Sequence, residues 1–368
     1  MDYKNDMNEA VNNEAGQLLE ELAKVLPGHG KVLIIPHDYP DPDALASSAA
    51  IHLLLAKRYN LQGKIIFSGI VSRAENRELL RHFKYGLTPS QQWRSSGKNK
   101  EKCPAIFVDT VPWRGNVTAP SSIKPIAVFD HHHHGKYKAP ANTLIDINPA
   151  IGATSTRLWE CLQAANIQIP KWLAAIMAYA ITTETFDFVR HATERDIRAY
   201  TFLLNQCNMK ILGQIKNAPV PRAYYGYLAE AVANAQTYGR VAWTHLTSVQ
   251  QPEIVAEIAD LLLRMERIMW TFCTGFIEDR LIISIRSELA SLHCGRLLRS
   301  LIGRKEGSAG GHEQAAAGFI DVAKLSDVER IQRRGALEAK LLAKIEGRLS
   351  DTARPLLLAP EEEKGRLG

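Results

Sequence analysis

The sequence predicts an α/β protein: an N-terminal, mostly parallel sheet flanked by helices, followed by a smaller α/β unit. Three observations carry this. Short runs rich in Val and Ile recur through the first 150 residues, helical stretches fall between them, and the alternation breaks down in a proline-bearing segment near residue 220. Strands that alternate with helices indicate a largely parallel sheet. A chain of 368 residues has room for two domains of about 150 residues each.

The elements follow in order. "LLEELAKVL" has helical spacing, and "KVLIIP" (31–36) is the continuous apolar run of a strand buried on both faces. "DALASSAAIHLLLAKRY" reads as the next helix, "KIIFSGI" (64–70) as a strand and "AENRELLRHF" as a helix. "AIFVD" (105–109), "PIAVFD" (125–130) and "TLIDIN" (143–148) are strands, ahead of helices at 152–166, 171–182 and 193–206. The rhythm is lost in "NQCNMKILGQIKNAPVPRAYYGYL". Beyond it come strand-like "GRVAWTHLT", helical "PEIVAEIADLLLRM", and the strands "WTFCTGFIED" and "RLIISIRSE" joined by a tight turn. A helix near "CGRLLRSLI", the glycine-bearing "GSAGGHEQAAAGFID" and a charged helix from about 325 to 347 complete the second unit. The predicted division is therefore 1–205, a linker at 206–238, a second domain at 239–347 and a tail at 348–368.

Composition narrows the class. Five scattered cysteines without a CxxC pair argue against a disulfide framework or a zinc knuckle, which suits a reducing cytoplasm. The acidic N-terminal stretch lacks the basic start and apolar core of a secretory signal, and nothing approaches the ~20 apolar residues of a membrane span. A soluble protein with no membrane partner is expected. The net charge of +6 permits an anionic ligand, and residues 264–305 hold eight Arg or Lys against four acids.

Ligands collect at the carboxyl ends of strands in an open parallel sheet. Three predicted strand ends here carry metal-ligand residues: His37, Asp38, Asp41 and Asp43 after the first, Asp109 on the third, and Asp130 with four histidines, His131 to His134, on the fourth. Acids and imidazoles crowded at one edge repel or desolvate one another unless a cation neutralises them. Carboxylate and imidazole without thiolate suits Mn, Fe, Co, Zn or Mg, and several bridging acids suit a pair of ions that activates hydroxide for phosphoryl transfer. Asp130 is expected to orient a histidine by accepting its N–H, and His133 and His134 to be solvated loop residues.

The series H-x3-D-x-D (His37, Asp41, Asp43), Asp109, Asp130-His131-His132 and the later "GGHEQAAAGF" resembles the DHH phosphoesterase family, with a C-terminal part similar to its DHHA1 companion domain. The resemblance spans roughly residues 30 to 323. It implies that His37 and Asp41 bind one metal ion, Asp43 the other, that Asp109 bridges them, that His131 is a ligand, and that His132 faces the scissile phosphate. The family's fourth motif carries an aspartate in "TDT"; this chain has "TTETFDF", so Glu184 stands in that place, with Asp187 as the alternative ligand. In the second domain the resemblance assigns Arg286, Ser287, Gly310, Gly311 and His312 to substrate binding, in a cleft that the two domains close.

The implied function is hydrolysis of phosphodiester or phosphomonoester bonds of a small nucleotide or short single-stranded RNA or DNA, with two Mn2+ ions (Mg2+, Co2+ or Zn2+ as alternatives). Members that hydrolyse short oligoribonucleotides or 3'-phosphoadenosine phosphate are the nearest in kind, and a homodimer is compatible with this. Two other readings stand beside it: a pyrophosphatase or polyphosphatase-like hydrolase sharing the metal site, and a catalytically degenerate nucleotide-binding regulator, motivated by Glu184.

Overall fold

The computed structural model describes residues 2–71, 73–93, 102–113, 115–119, 122–134, 142–289, 292–303, 305–311, 313–347 and 353–357. The chain divides into two compact units, Met1–Pro219 and Val220–Gly368. No helix among the described residues is long and apolar enough to cross a membrane.

In the first unit, helix α1 (Asp2–Val25) precedes β1 (Lys31–Pro36), α2 (Pro42–Arg58), β2 (Gln62–Phe67), α3 (Ala74–His82), β3 (Leu87–Pro89), β4 (Cys103–Val108), β5 (Ile123–Asp130) and β6 (Leu144–Ile147). Helices α4 (Thr154–Ala164), α5 (Lys171–Glu184), α6 (Glu194–Gln206) and α7 (Met209–Lys216) follow. The strands form one sheet in the order β3-β2-β1-β4-β5-β6, parallel at every pairing.

Alternation along each central strand explains why the sheet is buried on both faces. Val32, Ile34, Ile106, Val108, Ala127 and Phe129 point into the large core shared with α1, α2, α4 and α5. Leu33, Ile35, Ala105, Phe107 and Val128 point the other way, into a smaller core capped by Trp93, Trp113 and Val117. Polar side chains under the helices are paired: Arg157 bonds Asp146 at 2.8 Å, Glu160 at 3.2 Å and Glu14 at 2.9 Å. Arg195 reaches the same Glu160. This network, centred on buried Arg157 and Glu160, ties α1, β6, α4 and α6 together.

The second unit holds α8 (Arg222–Asn234), β7 (Gln236–Tyr238), β8 (Val241–Leu246), α9 (Pro252–Leu263), β9 (Trp270–Ile277), β10 (Arg280–Ser287), α10 (Cys294–Leu301), β11 (Gly307–Gly311), β12 (Ala315–Asp321), α11 (Asp327–Glu346) and β13 (Arg354–Pro355). Its sheet runs β11-β12-β10-β9-β8-β7-β13 and is mixed, with β8 and β9 the parallel pair. Where the sequence loses its strand–helix rhythm, the chain is ordered as α7, α8 and β7. The glycine-bearing stretch folds as an antiparallel pair, β11 with β12. From the region read as a tail, Arg354 and Pro355 add to the edge of β7.

Candidate metal centre

Sheet topology brings the three motif-bearing strand ends side by side. Pro36, the last residue of β1, pairs with Val108 of β4, and Val108 pairs with Phe129 of β5. The residues immediately beyond are His37, Asp109 and Asp130. Asp109 leaves its strand in the left-handed region, at φ 57°, while its amide still donates to the Phe129 carbonyl at 2.8 Å. That bend lets a residue at the very end of a buried strand carry its carboxylate over the sheet edge.

Two ligand triads meet there. The potential ligand atoms of His37, Asp41 and Asp109 lie within 4.8 Å of one another, and so do those of Asp109, His131 and His132. His37 Nε2 is 3.6 Å from Asp41 Oδ2 and 3.5 Å from Asp109 Oδ2. His131 Nε2 is 3.6 Å from Asp109 Oδ1 and 3.5 Å from Glu184 Oε1. These separations exceed hydrogen-bond lengths, and Asp109 Oδ2 and His131 Nε2 are buried without a hydrogen-bond partner. Buried polar atoms left unpaired are costly unless something else binds them. A divalent cation with oxygen and nitrogen donors fits this set.

Other carboxylates are held by helix starts. Asp41 caps α2, with Oδ1 accepting from the Ala44 amide at 2.9 Å, which leaves Oδ2 toward His37. Asp43 is fully buried and accepts from the Thr154 and Ser155 amides at 2.7 and 2.9 Å, the first turn of α4. Thr154 Oγ1 donates to Asp109 Oδ1 at 2.9 Å. Helix N-termini favour negative charge, so α2 and α4 both brace acids of the centre.

The charge states record the crowding. Burial, followed by the nearby Asp109, pushes the Asp43 carboxyl up to about 8. For Asp41 burial acts upward, but His37 prevails and holds the carboxyl well below the usual range. For His131 burial acts downward, while Glu184 and Asp109 prevail and raise it to about 10. His132 is raised to about 9 because its bond to Asp130 overcomes burial. One acid that resists ionising, Asp43, beside imidazoles that hold protons is the pattern a bound cation would relieve.

The Asp130 carboxylate bonds two histidines. Its Oδ1 accepts from the His132 amide at 3.0 Å and lies 2.8 Å from His132 Nδ1. Its Oδ2 is 2.6 Å from His134 Nε2. His134 therefore corrects the sequence reading: its side chain is only 7% exposed, because an otherwise unpaired Asp130 oxygen draws it in. His133 is exposed. Asp38, placed with the ligands by its position, faces away and accepts from the Thr118 amide and hydroxyl at 2.8 and 2.7 Å.

Of the two rivals near residue 185, Glu184 faces His131 and Asp187 is exposed. In the second unit Arg286 is engaged by Asp260, through Nε at 2.5 Å and Nη2 at 3.5 Å, and its Nη1 donates to Ser284 Oγ at 2.6 Å. Ser287 is fully buried and its hydroxyl donates to the Leu289 carbonyl at 3.0 Å. Gly311 has φ 143°, and a Cβ there would sit 2.3 Å from the Ala315 carbonyl oxygen, so the β11–β12 turn requires glycine; a Cβ on Gly310 would meet open space. His312 lies outside the described residues. Thr154, Ser155 and His134 are the participants that sequence reasoning missed; the small polar pair opening a helix, "ATST", was the available signal for the first two.

The family model for the DHH family, N-terminal domain, matches residues 31–181. That stretch is a DHH-family domain. An uncharacterised protein of Methanocaldococcus jannaschii is 28% identical over 318 residues, covering 84% of this chain and 63% of that protein. The cyclic-di-AMP phosphodiesterase GdpP of Geobacillus thermodenitrificans is 24% identical, covering 88% of this chain and 49% of that one. The chain thus spans half to just under two thirds of these relatives. Its fold resembles the crystal structure of an exopolyphosphatase-related protein from Bacteroides fragilis, with TM-score 0.65, 17% identity, and coverage of 85% of this chain and 94% of that one.

Proposed function

We propose that the chain is a metal-dependent phosphoesterase that hydrolyses phosphodiester or phosphomonoester bonds of small nucleotides or short single-stranded oligonucleotides, in the cytoplasm, at a centre for two divalent cations. Asp109 carries this reading, as the one buried carboxylate common to both ligand triads. Two cations sharing a carboxylate suit in-line displacement at phosphorus. The imidazole and carboxylate donors, without thiolate, favour manganese, with Mg2+, Co2+ or Zn2+ as substitutes. The similarity to a cyclic-di-AMP phosphodiesterase supports a nucleotide ester as substrate.

His37 and Asp41 would hold one cation, Asp43, His131 and Glu184 the other, and Asp109 both. The cations would supply neutralisation of phosphoryl charge and a lowered pKa for attacking water. The protein's own groups set the geometry. Asp130 fixes the ring of His132 through Nδ1, which leaves Nε2 to donate to a phosphoryl oxygen. Thr154 fixes the carboxylate of Asp109. The second unit, read as DHHA1-like, would bind substrate phosphate through Arg286, whose orientation is set by Asp260, together with Gly310, Gly311 and His312 of the same unit.

The test is a manganese-supplemented hydrolysis screen of short RNAs, 3'-phosphoadenosine phosphate, cyclic dinucleotides and pyrophosphate, with Asp109→Ala alongside. Hydrolysis of a nucleotide ester that is lost in Asp109→Ala is expected. Cleavage of pyrophosphate alone, or inertness toward every substrate, would overturn the reading.

A further inference from the structure

The first unit exposes two aromatic rings within two residues of the candidate ligands. Tyr39, between His37 and Asp41, is 59% exposed, and Phe186, following Glu184, is 60% exposed. Two residues of chain limit each ring's backbone to within ~7 Å of its neighbouring ligand's backbone. An exposed aromatic ring beside a polar centre forgoes the burial that aromatic side chains ordinarily find.

Both rings are held there by backbone that bulky residues rarely adopt. Tyr39 has φ 56°, and Phe186, Asp187 and Phe188 run consecutively at 50°, 53° and 66°. Such conformations persist only where the surroundings over-determine them. They do so here. Thr185 is fully buried and its hydroxyl donates to the Ile181 carbonyl at 2.6 Å. The Asp187 amide donates to the Thr182 carbonyl at 2.7 Å, and the Arg190 amide to the Thr185 carbonyl at 2.9 Å. Phe188 turns inward, edge-on to Tyr200 at 5.1 Å, and Phe186 is the one turned out.

Each exposed ring has a close neighbour on one side. A Cβ on Gly69 would lie 2.7 Å from the Tyr39 ring, so that ring rests against bare backbone. The guanidinium of Arg190 stacks over Phe186 at 4.6 Å from the ring centroid. A ring backed on one side and open on the other is a stacking surface, since every nucleobase offers a flat π-face. Inorganic phosphate chains would call for cations at these positions and would leave both rings bare.

We propose that Tyr39 and Phe186 are stacking faces for the nucleobases of a nucleotide bound at the metal centre, with Arg190 backing Phe186. This rests on the phosphoesterase reading and narrows it to substrates that carry a base. Stacking on one aromatic is worth about fivefold to 150-fold in binding. With manganese present, Phe186→Ala and Tyr39→Ala should each raise KM for a linear adenine dinucleotide by at least fivefold. Manganese affinity and melting temperature should be retained, and Phe186→Trp should restore KM.

A second readout does not need turnover. In Phe186→Trp, emission differenced against the wild-type protein should be quenched by adenosine monophosphate and by the dinucleotide, and not by inorganic phosphate. If the wild-type protein hydrolyses nothing while this quenching occurs, the phosphoesterase reading fails and base stacking stands. Unchanged KM in both alanine variants, or emission at position 186 indifferent to nucleotide, would overturn the inference.

Discussion

Among the described residues the Asp130 side chain bonds only His132 and His134, neither of them assigned to a cation, so its replacement tests whether the centre depends on the groups behind it. Both its oxygens are used: Oδ1 by the amide and Nδ1 of His132, Oδ2 by Nε2 of His134 at 2.6 Å. In Asp130→Asn the amide oxygen can keep the two His132 bonds, and the amide nitrogen then faces His134. His134 must become an acceptor at Nε2 and carry its proton on Nδ1, which is buried without a partner. One bond to a charged acceptor, worth ~1.5–3 kcal/mol, is exchanged for a weaker one and a stranded N–H. Replacing the group that orients a ligand typically costs about 10- to 100-fold in metal affinity or activity. Asparagine, which spares His132, should fall near tenfold in turnover, and Asp130→Ala, which releases both histidines, near 100-fold, with manganese affinity changed less than turnover in both. Calorimetric manganese titration and initial rates measure the two effects. Wild-type affinity and rate in both variants would refute the claim that Asp130 organises the centre.

Asp109→Ala removes the carboxylate common to both triads and should abolish hydrolysis while the circular-dichroism spectrum stays native. Glu184→Ala should weaken manganese binding at least tenfold and Asp187→Ala should leave it unchanged, since only Glu184 faces His131; the reverse order in a titration would reassign the ligand. Arg157→Met leaves half-buried Asp146 without its partner while Glu160 keeps Arg195, and should cost about 3 kcal/mol, seen in chemical denaturation. In the metal-free protein, Asp43 is raised to about 8 and His131 to about 10, both above their unfolded values of 3.8 and 6.5. The folded state therefore holds extra protons. The stability this contributes is full below those unfolded values and is lost as pH rises through about 8 and about 10. The melting temperature of chelator-treated protein should accordingly be lower at pH 9 than at pH 6, and saturating manganese should reduce the difference.

What the sequence made legible, and what it did not, divides along a physical line. Continuous apolar runs such as "KVLIIP" announce a strand buried on both faces, and a parallel sheet forces their ends to one edge, so the convergence of His37, Asp109 and Asp130 could be inferred from spacing and topology alone. Short β3, with only Leu87 to Pro89, carries too few residues for a period to show. The antiparallel β11 was hidden for a different reason: in "GSAGG" two of the glycines reflect close backbone approach, Gly307, where a Cβ would meet the Phe319 carbonyl oxygen at 1.8 Å, and Gly311. Roles set by three-dimensional bonding were the least visible. Four consecutive histidines are chemically identical in a sequence, and what separates them is which carboxylate each one meets. His131 lies between Asp109 and Glu184, His132 and His134 share Asp130, and His133 is exposed. The turn after β5 thus uses alternate histidines to grip one buried acid, so that Asp130 fixes His132 beside the candidate ligand His131, and a run that looks redundant is built from distinct parts.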